Sequence, residues 1–262
     1  MGERTTYEPG TFSYVELQTT DPEAAKAFYG GLFGWEPEDA DVGDMIYTML
    51  RLDGKTVGAL YEQREEQRSA GVPPNWLSYV TVEDADAMAA RATELGGNVL
   101  AGPFDVLEAG RMAVLSDPQG AVFAVWQPRG SIGAEVMNNP GALTMNQLNT
   151  SDVEAAIAFY EGLFGWKAEL NPSEGPDDFW SVLNGGRLNG GINALPPDGG
   201  APPHWLAYFR VADLDAAATR IEGDGGQILL APLEIPAGRI LVAQDPQGAV
   251  LGLYEGDVDP DP

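Results

Sequence analysis

DPEAAKAFYGGLFGW at residues 21–35 and DVEAAIAFYEGLFGW at residues 152–166 are two copies of one segment. The wider stretches 19–38 and 150–169 are identical at 14 of 20 positions, with an offset of 131 residues. A similarity this dense between distant parts of one chain indicates an internal repeat, and a repeat determines how the rest of the chain is divided.

Further matches extend the repeat along the chain. NWLSYV at 75–80 corresponds to HWLAYF at 204–209, and DPQGAV at 117–122 recurs unchanged at 245–250. The matches keep the same order in both halves, which predicts a tandem duplication related by pseudo-twofold symmetry. The segment between the copies is rich in glycine and contains proline, as expected of a linker. We therefore predict two domains, at residues 8–128 and 139–256.

Each half divides again into two similar modules. In the first module a strand, TFSYVELQT (11–19), precedes a helix for which Asp21 is a suitable N-cap, Pro22 a suitable first residue and Gly34 a suitable end. Strands are predicted at about 44–52 and 55–62.

The second module repeats this order. A strand, NWLSYVTV, precedes a helix at about 85–95, and three strands follow near 98–106, 110–116 and 121–127. The residues DPQG form the turn of a predicted hairpin. The predicted order is β-α-β-β-β four times in the chain, which is an α+β fold.

The charge of the chain excludes several kinds of partner. Fourteen Lys and Arg face 40 Asp and Glu in 262 residues, a formal net charge of −26. Nucleic acids and anionic membrane surfaces would be repelled, because binding to them depends on basic side chains. The chain has no cysteine and one histidine, His204, so thiolate chemistry and a histidine metal triad are excluded. No apolar run of 18 residues is present, and MGERTTYEPG (1–10) lacks the basic-then-apolar pattern of a signal peptide, so a cytoplasmic location is expected.

The repeated segments, the strand-helix YVTVEDADAMAARATELGG and the DPQG hairpins resemble the vicinal oxygen chelate superfamily, which includes glyoxalase I, bleomycin-resistance proteins and extradiol dioxygenases. The tandem layout is similar to that of an actinobacterial branch of the superfamily, whose members are glyoxalase-like proteins or hydroxylases. The resemblance implies four βαβββ modules paired into two half-open β-sheet domains, each with a ligand on its concave side. A monomer or a homodimer is expected.

The metal ligands of the family have no equivalent here. Family enzymes place His or Glu at three positions, which in this chain hold Tyr14, Leu77 and Ala124 in the first half and Met145, Leu206 and Gly252 in the second. Leu, Ala, Gly and Met do not supply the oxygen or nitrogen ligands that a divalent cation needs. The sequence therefore predicts no bound metal and no cofactor.

Glu16 and Tyr14 are the candidate catalytic residues. Strand alternation places Tyr14, Glu16 and Gln18 on one face, which the resemblance directs toward the cavity. A carboxylate on a partly apolar face can act as a general base or orient a ligand hydroxyl. A solvated or hydrogen-bonded strand residue is the alternative. The equivalent residue of the second half is Gln147, which cannot act as a base.

Aromatic and polar side chains in the same strand phase are candidate ligand-binding residues. They are Tyr79, Trp126, Gln147, His204, Tyr208 and Tyr254. Aromatic walls suit a planar ligand, although core packing explains these rings equally well. His204 is either a proton carrier or a residue at the start of a strand. Tryptophans that occur at equivalent positions in both halves are more consistent with a role in the shared scaffold than with a distinct binding site.

Three functions remain open on the sequence. The first is a metal-independent protein of resistance or carrier type that binds a small organic molecule, planar or cationic. The second is an enzyme, a glyoxalase-like lyase or isomerase or a hydroxylase, that uses Glu16 and Tyr14 or a borrowed organic cofactor. The third is a structural or interaction protein with closed cavities. The absence of the metal ligands favours the first of these functions. The fold alone does not decide between the three, because one fold can carry many functions.

Overall fold

The repeated segment forms the first helix of each half, with the ends that its sequence predicts. In this computed structural model, which describes residues 2–43, 45–171, 179–196 and 200–258, these helices are α1 (Pro22–Phe33) and α4 (Val153–Phe164). The carboxylates of Asp21 and Asp152 accept backbone N–H groups at the start of each helix. Left-handed glycines, Gly34 and Gly165 with φ 74°, end them.

The remaining elements follow the same order in both halves. The first half contains β1 (Phe12–Thr19), β2 (Glu36–Asp41), β3 (Ile46–Leu52), β4 (Lys55–Glu62), α2 (Glu65–Ser69), β5 (Asn75–Thr81), α3 (Ala85–Glu94), β6 (Asn98–Val106), β7 (Gly110–Ser116) and β8 (Val122–Pro128). The second contains β9 (Leu143–Thr150), β10 (Lys167–Asn171), β11 (Phe179–Asn184), β12 (Arg187–Ala194), β13 (His204–Arg210), α5 (Leu214–Gly223), β14 (Gln227–Ile235), β15 (Gly238–Gln244) and β16 (Val250–Gly256).

Each half forms one eight-stranded sheet. The strand order is β2-β3-β4-β1-β5-β8-β7-β6 in the first and β10-β11-β12-β9-β13-β16-β15-β14 in the second. In each sheet the first strands of the two modules pair antiparallel at the centre, β1 with β5 and β9 with β13. The α+β fold of four βαβββ modules is confirmed. The domain bounds 8–128 and 139–256 stay a prediction.

Two elements depart from the sequence-based expectation. β2 was not predicted, because its residues, EPEDAD, lack apolar alternation and strand-forming side chains. It forms an exposed edge strand paired with β3, where Glu38 binds Arg51 and Asp39 accepts a hydrogen bond from Thr48. The short helix α2 was also missed, since a five-residue helix carries no periodic signal.

The two halves pack through shared cores rather than separate ones. One core joins the first module of the first half to the last module of the second half. In this core the ring centroids of Phe33 and Phe209 are 5.2 Å apart. The other joins the two middle modules, where Phe12 lies 5.0 Å from Trp205. Helix α1 contacts α5, and α3 contacts α4. Neither half is therefore expected to be stable alone.

Hydrogen bonds between repeated motifs connect the halves. Trp76 donates to the Tyr29 hydroxyl (3.1 Å), which donates to the carboxylate of Asp245 (2.9 Å) in the DPQG turn of the other half. The same chain of bonds, at 2.8 and 3.2 Å, joins Trp205, Tyr160 and Asp117. These motifs thus have a scaffold role. Among the residues described, no helix is both long and apolar enough to cross a lipid bilayer.

Candidate functional site

The register of β1 and β5 determines which side chains meet on the outer face of the first sheet. Tyr14 lies opposite Tyr79, and Glu16 lies opposite Leu77. The reverse face of the same strands packs against the second half, where Ser78 donates to the side chain of Asn146 (2.6 Å). Because side chains alternate along a strand, Tyr14, Glu16 and Tyr79 point away from that interface. These three candidate residues therefore lie on one face of the sheet.

Glu16 is held by tyrosines from two other strands. Tyr47 of β3 donates to one carboxylate oxygen, and Tyr79 of β5 donates to the other. The Tyr14 hydroxyl lies 3.4 Å from that of Tyr47, and the Tyr61 ring stacks on Tyr47 at 6.3 Å between centroids. We name Tyr14, Glu16, Tyr47, Tyr61 and Tyr79 the tyrosine cluster.

Thioethers and an indole extend the walls of the tyrosine cluster. Met49 of β3 lies 3.7 Å from the Tyr14 hydroxyl, and Met112 of β7 lies 3.9 Å from that of Tyr79. The Trp126 ring stands edge-on to Tyr79 at 6.5 Å, with its N–H bound to the Ser131 carbonyl (2.9 Å). This wall is therefore apolar, polarizable and aromatic.

Burial controls the protonation of the tyrosine cluster. Glu16 is 9% exposed, and this burial raises the pKa of its carboxyl, against the two tyrosine hydrogen bonds that lower it. Burial also raises the pKa values of Tyr14, Tyr47 and Tyr79. The phenols are therefore neutral near pH 7, and Glu16 is the group of this cluster that changes charge.

The second half builds a different arrangement at the matching positions. Gln147 donates to the Asn149 side-chain oxygen (2.9 Å), and the Asn149 amide lies 3.2 Å from Nε2 of His204. Nδ1 of His204 is 2.8 Å from the Pro202 carbonyl. In the neutral imidazole, these two contacts fit a proton on Nδ1 and an acceptor at Nε2. The candidates Gln147 and His204 thus belong to one network, joined by a residue that the sequence did not indicate.

Strand register shows what the second half lacks. Tyr47 pairs with Tyr61 across β3 and β4, and the equivalent pair across β11 and β12 is Phe179 and Asn193. Tyr14 and Glu16 correspond to Met145 and Gln147. Of the tyrosine cluster, the second half has an equivalent only for Tyr79, which is Tyr208. The carboxylate and most of the hydroxyls around it are therefore absent together.

The remaining two candidates of the second half are engaged within the scaffold. Tyr208 is 1% exposed, and burial raises its pKa to about 12. The Tyr254 hydroxyl lies 2.6 Å from the Ala237 carbonyl and 2.5 Å from that of Asp257. These carbonyls hold the Tyr254 hydroxyl, whereas its first-half counterpart, Trp126, lies beside Tyr79.

The side chains around Glu16 do not fit the metal that the enzymes of the vicinal oxygen chelate superfamily bind. Leu77 lies opposite Glu16, and Ala124 pairs with Tyr79, so neither adds a ligand beside the carboxylate. At Gly252 an added Cβ would lie 2.3 Å from the Tyr208 ring, which leaves no room for a ligating side chain. Within the described ranges, no three His, Cys, Asp or Glu residues are grouped to hold an ion.

Sequence reasoning missed Tyr47 and Tyr61, which complete the surroundings of Glu16. They lie on the third and fourth strands of the module, where only the hairpin register shows that they reach the first strand. A comparison of the halves contained a signal, because the equivalent residues, Phe179 and Asn193, lack both hydroxyls.

The fold and this outer-face site define a tandem βαβββ protein, and comparison with known proteins names the family. The family model described as Glyoxalase/Bleomycin resistance protein/Dioxygenase superfamily matches residues 11–125 and 142–253. The chain belongs to this superfamily.

Two similar relatives cover nearly the whole chain. One, from Mycobacterium tuberculosis, is named "Putative glyoxylase CFP32"; it is 39% identical over 259 residues, which is 97% of this chain and 98% of that protein. Another, the Anthracycline biosynthesis protein DauV from Streptomyces sp. (strain C5), is 35% identical over 265 residues, 96% of this chain and 95% of that protein.

Solved structures show the same fold. A Mn(II)-bound glyoxalase from Novosphingobium aromaticivorans aligns with a TM-score of 0.67 and 18% identity over 99% of this chain and 85% of that one. The 2,3-dioxygenase LapB from Pseudomonas sp. KL28 aligns with a TM-score of 0.65 and 14% identity, covering 98% of this chain and 96% of that one. At these identities the likeness concerns the fold alone.

Proposed function

We propose that the protein binds a small planar organic molecule at the tyrosine cluster of its first half, without a metal. The observation that carries this proposal is the buried Glu16 carboxylate, held by Tyr47 and Tyr79, in the first half only. Gln147 occupies the same position in the second half.

The second half supplies an internal control for the role of Glu16. A buried carboxylate without a cationic partner lowers stability, because it loses its hydration. Gln147 is equally buried, at 8% exposed, so the fold accommodates a neutral amide there. A side chain that the fold does not need, and that costs stability, is more consistent with ligand binding than with packing.

The aromatic side chains suggest the shape of the ligand. Tyr47 and Tyr61 are partly exposed, whereas Tyr14 and Tyr79 are buried, so the stacked pair is the part of the cluster that solvent reaches. A flat ring system entering here would contact Tyr faces and the Trp126 edge. A hydroxyl or N–H group on it would replace a tyrosine as the donor to Glu16.

We also propose that the family metal site has been lost. The expectation is that purified protein contains far less than one equivalent of zinc, nickel, iron or manganese, measured by elemental analysis, and that a chelator leaves its melting temperature unchanged. The reason is the donor set around Glu16, where Leu77 and Ala124 replace ligands. About one equivalent of any of these metals would contradict the proposal.

The binding site can be located with 2-naphthol, a neutral, planar probe with one hydroxyl. In calorimetric titrations of chelator-treated protein, Glu16→Gln should weaken binding by more than about 1.5 kcal/mol, because a hydrogen bond to a charged acceptor is replaced by one to a neutral amide. The matched variant Gln147→Ala should have a smaller effect. Equal or reversed effects would place the site in the second half, and absence of saturable binding would support closed cavities.

One observation favours an enzyme as the second candidate. A carboxyl with a raised pKa, hydrogen-bonded to Tyr47 and Tyr79, is suited to remove a proton from a bound molecule. A relative named for anthracycline biosynthesis is compatible with a role in such chemistry. Mass spectrometry of the ligand recovered after incubation distinguishes the two, because a binding protein releases its ligand unchanged.

A further inference from the structure

We propose that the tyrosine cluster selects organic cations, namely planar molecules whose ring system carries a positively charged nitrogen. This inference rests on the proposed function and adds the charge class of the ligand. It follows from the Glu16 carboxylate, the aromatic faces around it and the charge of the whole chain.

The first argument is the identity of the groups that bind Glu16. Its hydrogen-bond partners among the described residues are the phenols of Tyr47 and Tyr79, which satisfy lone pairs but carry no positive charge. The nearby basic residue of β3, Arg51, pairs instead with Glu38 at 2.5 Å and lies 4.0 Å from Glu135. A cation brought by a ligand would therefore place beside Glu16 a positive charge that neither of its hydrogen-bond partners carries.

The second argument is the sign of the surrounding surfaces. Aromatic faces are regions of negative potential and attract cations within about 6 Å of the ring centre. Tyr47 and Tyr61 stack with an angle of 21° between their planes, while Tyr14 and Tyr79 meet edge to face at 5.8 Å. The carboxylate and these ring faces all favour positive charge, so their effects add.

The third argument is the charge of the chain. A formal net charge of −26 attracts cations from a distance and repels anions. The second half has the same overall surroundings but places Gln147, Phe179 and Asn193 at the matching positions. It provides no central charge, so its site should not discriminate between a cation and a neutral molecule of equal shape.

Binding of a cation should be linked to a proton. The titratable groups that face Glu16 are Tyr14, Tyr47, Tyr61 and Tyr79, and all have raised pKa values, so they stay neutral. The charges of Arg51 and Arg64 act on Tyr14 and Tyr61 respectively. A cation beside Glu16 favours its ionised form and lowers its pKa. Affinity for a permanent cation should thus increase with pH until free Glu16 is ionised, and then stay constant.

The test compares N-methylquinolinium, a permanent cation, with quinoline, which has nearly the same shape and is neutral at pH 8. In calorimetric titrations of the whole protein at pH 8, the cation should bind at least about tenfold more tightly than quinoline. Glu16→Gln should reduce cation affinity by at least about tenfold and quinoline affinity by less than about threefold. Below the Glu16 pKa, titrations in buffers of different ionisation enthalpy should report proton release for the cation only.

Each outcome bears on a different statement. Equal affinities for both probes, or a cation preference that survives Glu16→Gln, would overturn the cation proposal. If 2-naphthol still binds in a Glu16-dependent manner, the proposed function stands even though the cation proposal fails. If none of the three probes binds saturably, both proposals fall. Circular dichroism of Glu16→Gln establishes that an affinity change does not reflect unfolding.

Discussion

Asp245→Ala is expected to lower the free energy of unfolding by about 3–5 kcal/mol, because it removes the acceptor of several buried donors at once. The Asp245 carboxylate accepts the Tyr29 hydroxyl at 2.9 Å and backbone N–H groups of Gln247, Gly248 and Ala249 at 2.8–2.9 Å. Urea denaturation followed by tryptophan fluorescence and circular dichroism measures the loss. The two probes should report one transition, since the two halves share their hydrophobic cores.

The repeat supplies a matched variant for this experiment. Asp117→Ala should have a comparable cost, because Asp117 accepts the Tyr160 hydroxyl and two backbone N–H groups in the same way. Asp224→Ala is the surface control and should cost less than about 1 kcal/mol, as its partner is the exposed Arg220. A loss below about 1 kcal/mol for Asp245→Ala would show that the turn does not hold the halves together.

Glu16→Gln is expected to make the protein more stable at pH 8, by about 1 kcal/mol or more, because it removes a buried charge. The sign follows from the raised pKa of Glu16 in the folded state. Between the unfolded and folded pKa values the native state binds more protons, so wild-type stability falls as pH rises, by up to about 1.4 kcal/mol per pH unit. Because Gln does not titrate, the difference in the free energy of unfolding between Glu16→Gln and the wild type should shrink toward pH 4. Urea denaturation at several pH values measures this difference.

The second half again provides the control. Gln147→Glu places a carboxylate at the equivalent position, where Phe179 replaces Tyr47 and cannot donate. It should destabilise the protein at pH 8 by more than Glu16→Gln stabilises it, since the new buried carboxylate lacks the donor that Tyr47 provides to Glu16. A Glu16→Gln variant less stable than wild type at pH 8 would indicate a structural carboxylate and weaken the argument for binding.

Much of the fold followed from local chemistry in the sequence. Asp21 and Gly34 defined the ends of α1, because capping depends on short-range hydrogen bonds and a left-handed residue. The exposed edge strand β2 could not be predicted, because its acidic residues form a strand only by pairing with β3.

The candidate site was predictable only in part. Alternation along β1 identified Tyr14 and Glu16 correctly as neighbours on one face, since the side-chain period of a strand is fixed. Tyr47 lies 31 residues from Glu16, and nothing local to either residue shows that they bind each other. That contact depends on the register of β3 against β4 and of β4 against β1.

The sequence by itself determined the duplication and the βαβββ order of the modules, because both are properties of residue types at fixed spacing. It did not determine how the halves combine. Tyr29 has two candidate partners in identical DPQGAV segments, Asp117 and Asp245, and the structure joins it to Asp245, 216 residues away. Only tertiary packing made this choice, because burying α1 against the last module of the other half brings Tyr29 to that turn.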